Sequence, residues 1–365
     1  MSDATSGHLL YSCDDHLDIM NVPRDLWTAR LPQQYREAGP HVVEREGTHL
    51  WLVGDKPMGV SGRMDAATTA LSRVPDLEDD GFRPSDPKLR LEDMERDDIR
   101  ASIVYGPGAL TGFPIQDLQL KKLVLRAWND WAAEVFNAYA PDRLSALPFL
   151  PTGSAEDAVE EFERVVGLGH RGAIINPFEM RLEDRSWDRL WAAATLADIP
   201  ISFHIGGGSR LDPMVIWQRA PFSSVCPMQL DEPLAILIFS GALERYPDFN
   251  LVLAESGVGW LPYFIARMDN QFEKHCLPYP SECIHTRPSE IFNRQIYATF
   301  EEEPLGPTLI ALMRPDNLMW ACDYPHPDST WPNSRAAIDH SLGALGPDTV
   351  RKVTGETCQR LYRFP

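Results

Sequence analysis

The sequence predicts an α/β fold whose parallel strands close into a single (β/α)8 barrel. Three observations point there. Strand-sized apolar runs recur eight times along the chain. They are near-continuous rather than alternating, the pattern of parallel strands buried on both faces. Helical segments separate most of them, as strand-crossover-strand units require. A chain of 365 residues can be one large barrel domain over 1–365. The doubly wound open sheet is the alternative, but no G-x-G-x-x-G follows an early strand.

The runs, in order, are "HLLYSC" (8–13), "ASIVYG" (101–106), "LSALPFL" (144–150), "GAIIN" (172–176), "IPISFH" (199–204), "NLVLAE" (250–255), "RQIYATF" (294–300) and "NLMWAC" (317–322). "KLRLEDMERDDIR" is amphipathic and precedes the second strand; "DLQLKKLVLRAWNDWAAEVFNAY" follows it. "SAEDAVEEFERVVGLG" begins with Ser154 as N-cap, carries acids in its first turn and ends in glycines. Residues 20–95 do not fit a tight βα unit and read as an insertion after strand one. Within it "HVVEREGTHLWLVGDKPMGV" predicts a small β-hairpin, with turn signals at Glu46-Gly47 and Gly54-Asp55. Leaving from the C-terminal rim, this insertion either caps the barrel mouth or decorates the surface.

Composition excludes some partners. With 53 acidic against 34 basic residues, the formal charge of −19 disfavours nucleic acid or an anionic membrane. No apolar leader-like run and no run of membrane-spanning length is present. The six cysteines (13, 226, 276, 283, 322, 358) are scattered without a CxxC pair, the usage of a reducing cytoplasm, and Cys13 and Cys322 read as small buried hydrophobes.

Catalytic groups in such barrels sit where strands end. Strand one ends in Asp14, Asp15 and His16, with Asp18 beyond; strand five in His204; strand six in Glu255. Strand seven runs into Glu301, Glu302 and Glu303, and strand eight ends in Asp323 with His326 close by. Several carboxylates on one cavity repel one another and lose hydration. Protonation, arginines or a cation must offset that, and the imidazoles point to a cation such as zinc, manganese or iron. Period two puts Asp14 and His16 on one side of an extended segment, so they can share an ion. Asp15 and Asp18 read as polar loop residues, and at most one of the three glutamates as a ligand. His326 reads either as an acid/base group or as a turn residue.

"DDHLD", "FHIGGG", "AESGVGWLPYFIARMD" and "ACDYPHPDSTWP", spread over 8–335, together resemble the amidohydrolase superfamily, in the branch that contains aminocarboxymuconate semialdehyde decarboxylase. The resemblance implies a TIM barrel with metal held by Asp14, His16, His204 and Asp323. Two departures stand out. Glu255 occupies the strand-six tip where the decarboxylases carry histidine, and "RGAIINPFE" has no lysine to bridge two ions. The "ESGVGW" version is more similar to a group that includes the diiron monooxygenase of platensimycin biosynthesis. That likeness implies two iron ions per chain, with Glu255 and Glu301 as further ligands. It also implies O2-dependent hydroxylation of a hydrophobic, CoA-linked substrate in secondary metabolism, and a homodimer. The alternative is a hydrolase or non-oxidative decarboxylase using zinc or manganese, with Asp323 or His326 moving the proton; Asp323, His326 and Glu255 are the catalytic candidates overall. An oxygen-rich donor set favours iron or manganese over zinc. For the substrate, "RLDPMVIWQRAPFSSVCPMQL" either lines a hydrophobic pocket or packs between protomers. Arg210, Lys121 and Lys122, with Arg126, either meet CoA phosphates or lie on a solvated face.

Overall fold

A computed structural model describes residues 7–62, 69–108, 113, 115–206, 210–211, 215–303 and 305–365. All eight apolar runs form strands, and all pair in parallel: β1 (Leu10–His16), β5 (Ile99–Tyr105), β6 (Leu144–Ala146), β7 (Ala173–Ile174), β8 (Ile201–His204), β9 (Leu251–Ala254), β10 (Ile296–Phe300) and β11 (Leu318–Trp320). They lie in two sheets, β1-β5-β6 and β7-β8-β9-β10-β11, each in chain order. One seam is joined by a parallel bridge between Phe149 and Ile174. The other is joined by backbone bonds from His16 N to Tyr324 O (2.7 Å) and from Asp323 N to Asp14 O (3.0 Å). The first strand of the chain therefore lies against the last. The expected boundaries shift most at β1, which runs on through Asp14, Asp15 and His16, and at β6, which ends four residues early; β7 and β11 keep only two and three residues.

The strands bury on both faces, as their continuous apolarity requires: β1, β6, β7, β9 and β11 carry no exposed residue. Helices cover them. Asp117 caps the helix Leu118–Trp131 by accepting from Gln119 N and Leu120 N, and Ser154 caps Ala155–Gly167 through Asp157 N at 3.1 Å. Among the described residues no helix is long and apolar enough to cross a membrane.

Between β1 and β5 the expected hairpin is a three-stranded antiparallel sheet of β2 (Pro40–Arg45), β3 (Thr48–Val53) and β4 (Lys56–Val60). The turns fall where expected, with φ of 53° at Glu46, 77° at Gly47 and 55° at Gly54. The third strand holds Pro57 and Gly59 and buries none of its residues, so its sequence carries no strand pattern. Farther on, Thr69 Oγ1 and Ala70 N both donate to Pro325 O. The Arg73 guanidinium donates to the carbonyls of Pro327, Ser329 and Trp331. The segment after β1 thus grips the loop that follows β11, at the end of the strands where Asp323 sits.

Candidate metal centre

The site begins with an irregularity in β1. Its register against β5 slips between Ser12 and Asp15, and a bulge of this kind re-aims side chains. Asp14 and His16 face one way, with His16 Nε2 3.4 Å from Asp14 Oδ1. Asp15 faces away and accepts from Ser12, Ser102 and Arg90. The other strand tips converge on the first pair. His16 Nε2 lies 3.0 Å from Asp323 Oδ1 and 3.7 Å from Glu255 Oε2. His204 Nε2 lies 3.2 Å from Glu255 Oε2 and 3.7 Å from Asp14 Oδ1. His326 stacks on His16 at 4.1 Å, with Nδ1 2.9 Å from Asp323 Oδ1 and Nε2 3.3 Å from Asp18 Oδ2. Glu255 and Asp323 sit at positive φ, 51° and 62°. Such backbone is uncommon outside glycine and clusters at functional sites.

The charges are unbalanced. Burial works against charging His204, yet Asp14 and Glu255 overcome it and push it up to about 9. Burial likewise opposes the His326 charge, and Asp323 and Asp18 raise it well above the ordinary imidazole range. Burial would lift Asp323, but His326 and His16 hold it low. Burial pushes Glu255 up against the pull of His16 and His204. Burial again, with the charges of Asp323, Glu255 and Asp14, drives Glu301 far above the carboxylate range. The cluster attracts positive charge, and in the bare chain only protons supply it.

Four atoms identify where a cation fits. Asp14 Oδ1, His16 Nε2, His204 Nε2 and Asp323 Oδ1 are buried and make no hydrogen bond of good geometry, only close approaches to one another and, for Asp323 Oδ1, to His326 Nδ1, although buried polar atoms are ordinarily paired. Two sets of side chains offer donor atoms close enough to share an ion: Asp14, His16 and His204, and His16, Glu255, Asp323 and His326. Imidazole nitrogen with carboxylate oxygen suits a first-row divalent ion. Outer contacts orient the donors. His204 Nδ1 lies 2.8 Å from Ile205 O, so it carries the proton and leaves the Nε2 lone pair facing the cluster. Asp14 Oδ2 accepts from Glu255 N and Thr299 Oγ1, each at 2.7 Å.

Sequence expectations divide accordingly. Asp14, His16, His204, Glu255, Asp323 and His326 come together, with Glu301 half-buried beside them. Glu302 is exposed. Glu303 serves the backbone, accepting from Val258 N (2.7 Å) and Gly259 N (3.3 Å). A Cβ on Gly257 would lie 2.6 Å from its Oε1, so the glycine makes room for the carboxylate. Lys121 and Lys122 lie elsewhere, paired with Glu179 (2.7 Å) and Asp157 (2.5 Å). Arg210 is exposed; residues 207–209 and 212–214 on either side lie outside the described residues. The apolar run beyond it includes the helix Ile216–Val225, none of whose residues is buried. Two expectations need correction. Asp15 is no loop residue but a buried part of β1, and Asp18 holds His326. Thr299 was missed; its only signal is its place one residue before the end of β10.

The sequence matches the family described as amidohydrolase over residues 46–364. No curated protein matches it. Several solved structures share the fold. An amidohydrolase from Mycobacterium avium subsp. paratuberculosis K-10 is 19% identical, covering 98% of this chain and 99% of that one with a TM-score of 0.80. A 5-carboxyvanillate decarboxylase from Sphingomonas paucimobilis is 18% identical, covering 98% and 100%, TM-score 0.69. A dihydroxybenzoic acid decarboxylase from Polaromonas sp. JS666, with bound manganese and an inhibitor, is 18% identical, covering 98% and 97%, TM-score 0.66. A family match over most of the chain accords with the parallel α/β strands and the acid–imidazole cluster at their ends, and such relatives imply a TIM-barrel fold. This chain belongs to the amidohydrolase family.

Proposed function

We propose that the chain is a metal-dependent hydrolase or non-oxidative decarboxylase, acting without oxygen on a hydrophobic carboxylic acid or acyl compound. The observation that carries the reading is the convergence of Asp14 Oδ1, His16 Nε2, His204 Nε2 and Asp323 Oδ1, buried without hydrogen bonds of good geometry, with the His326 imidazole 2.9 Å from the last of them. Asp14, His16, His204 and Asp323 hold one divalent ion, with Glu255 in reach. A bound ion there supplies Lewis-acid polarisation of a carbonyl or carboxylate and acidifies water. The chain supplies the rest. Asp323 Oδ1 and His326 Nδ1, 2.9 Å apart, hold and pass a proton, and Asp18 aims the ring from its other nitrogen. An apolar pocket lined by Tyr105, Gly106, Phe149, Ile175, Phe178 and Ile205 opens beside His204 and takes the hydrophobic part of the substrate. The eight strands form one barrel domain, and residues 20–95 cap its mouth through their hold on the loop after β11.

A second reading, the O2-dependent hydroxylase with two iron ions, is favoured by one observation. Glu255 and His326 extend the donors beyond Asp14, His16 and His204, although His16, common to both sets, can serve one ion through Nε2. A CoA-linked substrate would have to draw Lys121 and Lys122 from their acidic partners, or rely on Arg210. One experiment separates the readings. The protein is stripped with a chelator, reloaded with manganese, zinc or iron, and assayed on aromatic acids and acyl esters under nitrogen and air. Release of CO2 or hydrolysis that ignores oxygen is expected. O2 consumption coupled to turnover at two irons per chain would replace the first reading with the second.

A further inference from the structure

One feature far from the metal centre is a pair of thiols. The helix Leu261–His275 leaves the β9 end of the molecule and runs 15 residues, about 22 Å at 1.5 Å per residue. Cys276 follows directly, its N–H donating to Phe272 O at 2.9 Å. The chain then folds back through two turns, Tyr279 N to Cys276 O (2.8 Å) and Glu282 N to Tyr279 O (3.0 Å). This return delivers Cys283, whose Sγ lies 3.6 Å from His275 O, the carbonyl of the peptide that enters Cys276. That places the Cys283 thiol against the backbone leading into Cys276, near enough to raise the titration of the Cys276 thiol. Cys276 is buried, while Cys283 is half-exposed.

We propose that Cys276 and Cys283 form a reversible disulfide, a redox-modification site at the end of the molecule remote from the metal centre. The oxidant is a low-molecular-weight disulfide such as oxidised glutathione. The Cys283 thiolate attacks one sulfur of the oxidant, whose S–S bond breaks and releases one thiolate. The Cys276 thiol then gives up its proton and attacks the mixed disulfide at Cys283, forming the Cys276–Cys283 bond and releasing the second thiolate. Two protein thiols lose two electrons and one small disulfide gains them. Order of attack follows access. Cys283 can be reached from solvent; the buried Cys276 is held as a thiol, its burial and Cys283 pushing it up to about 11, so it acts second.

The molecule contains its own control. Cys13 and Cys358 are likewise near enough for Cys358 to raise the titration of Cys13, but they are 0% and 1% exposed. If proximity alone governed oxidation, both pairs would react. If access governs it, only Cys276 and Cys283 will.

The test uses the native, metal-loaded protein titrated with oxidised glutathione. It is then denatured, its remaining thiols alkylated, and its peptides mapped. The expected result is two fewer alkylated cysteines, a link joining the peptides of Cys276 and Cys283, full reversal by dithiothreitol, and unchanged metal content. C283S should abolish the link while keeping the wild-type metal content and circular dichroism. Six alkylated thiols after oxidation would overturn the proposal, as would a glutathione adduct that persists on Cys283, or a link through any other cysteine.

Discussion

Asp14 and Asp15 are neighbours in β1, equally buried, and live in opposite electrostatic worlds. Both oxygens of Asp15 are saturated: Ser12 and Tyr324 N donate to one, Arg90 and Ser102 to the other. Behind them Asp93 takes two bonds from Arg83 and one from Tyr324, whose ring lies 4.4 Å from the Arg90 guanidinium. That region supplies its own cations and is complete as a protein. Asp14 keeps one oxygen satisfied by Thr299 and Glu255 N and leaves the other bare among His16, His204 and Asp323. The difference separates two kinds of buried charge. One set is structural because its donors come from the chain. The other is a candidate binding site because one of its oxygens lacks such donors.

That contrast can be broken experimentally. Arg90→Met leaves Asp15 buried without its cation, and removing one partner of a buried pair costs about 3–5 kcal/mol. Urea denaturation should show a loss of that size, with metal content falling only as the fold does. Asp14→Asn should behave in the reverse way. It relieves repulsion with Glu255 and Asp323 but takes from His204 one of the partners that raise it, so the metal-free protein should lose much less than with Arg90→Met, while metal binding falls by more than the ~10–100-fold typical of an outer contact. Were Asp14→Asn to destabilise the metal-free chain as much as Arg90→Met, the two regions would be of one kind. Thr299→Val refines the picture. It strips a donor from Asp14 Oδ2 without touching the bare oxygen, and should weaken metal affinity by about 10–100-fold in a competition titration with a fluorescent chelator.

The smallest effect is in pH. In the metal-free chain His204 keeps its proton up to about 9, above its unfolded value. A raised folded pKa means the stabilisation is complete below the unfolded value of about 6.5 and is lost as pH rises through the folded one. Melting temperatures of chelator-treated protein should therefore fall between about pH 6.5 and about 9. A cation competes with that proton, so manganese-loaded protein should gain on the bare protein over the same interval.

Much of this was legible because of where strands end. The runs "HLLYSC", "IPISFH" and "NLMWAC" mark strands by apolarity alone, and parallel strands must deliver their tips to one face. Asp14, His16, His204 and Asp323 thus converge without any knowledge of loops. What stayed hidden depends on register and on long-range partners. Period two already groups Asp14 with His16, but the bulge before Asp15 and the partners that bury Asp15 have no signal in "DDH". Glu301, Glu302 and Glu303 are identical in sequence terms, yet one lies beside the site, one is exposed, and one clamps the Val258–Gly259 backbone. Thr299 serves the site through a bond to Asp14, 285 positions away in the chain. β4 was missed because Lys56, Pro57 and Gly59 give no periodicity for a strand.

The seam between β1 and β11 has a consequence of its own. Its backbone bonds run through His16, Asp14 and Asp323, the same residues whose side chains surround the bare oxygens. An ion gripped there fastens the start of the chain to its far end, like a clasp on a ring. Withdrawing it should loosen that junction before any other, and amide exchange at His16 and Asp323 should quicken while the β8–β9 pairing stays protected.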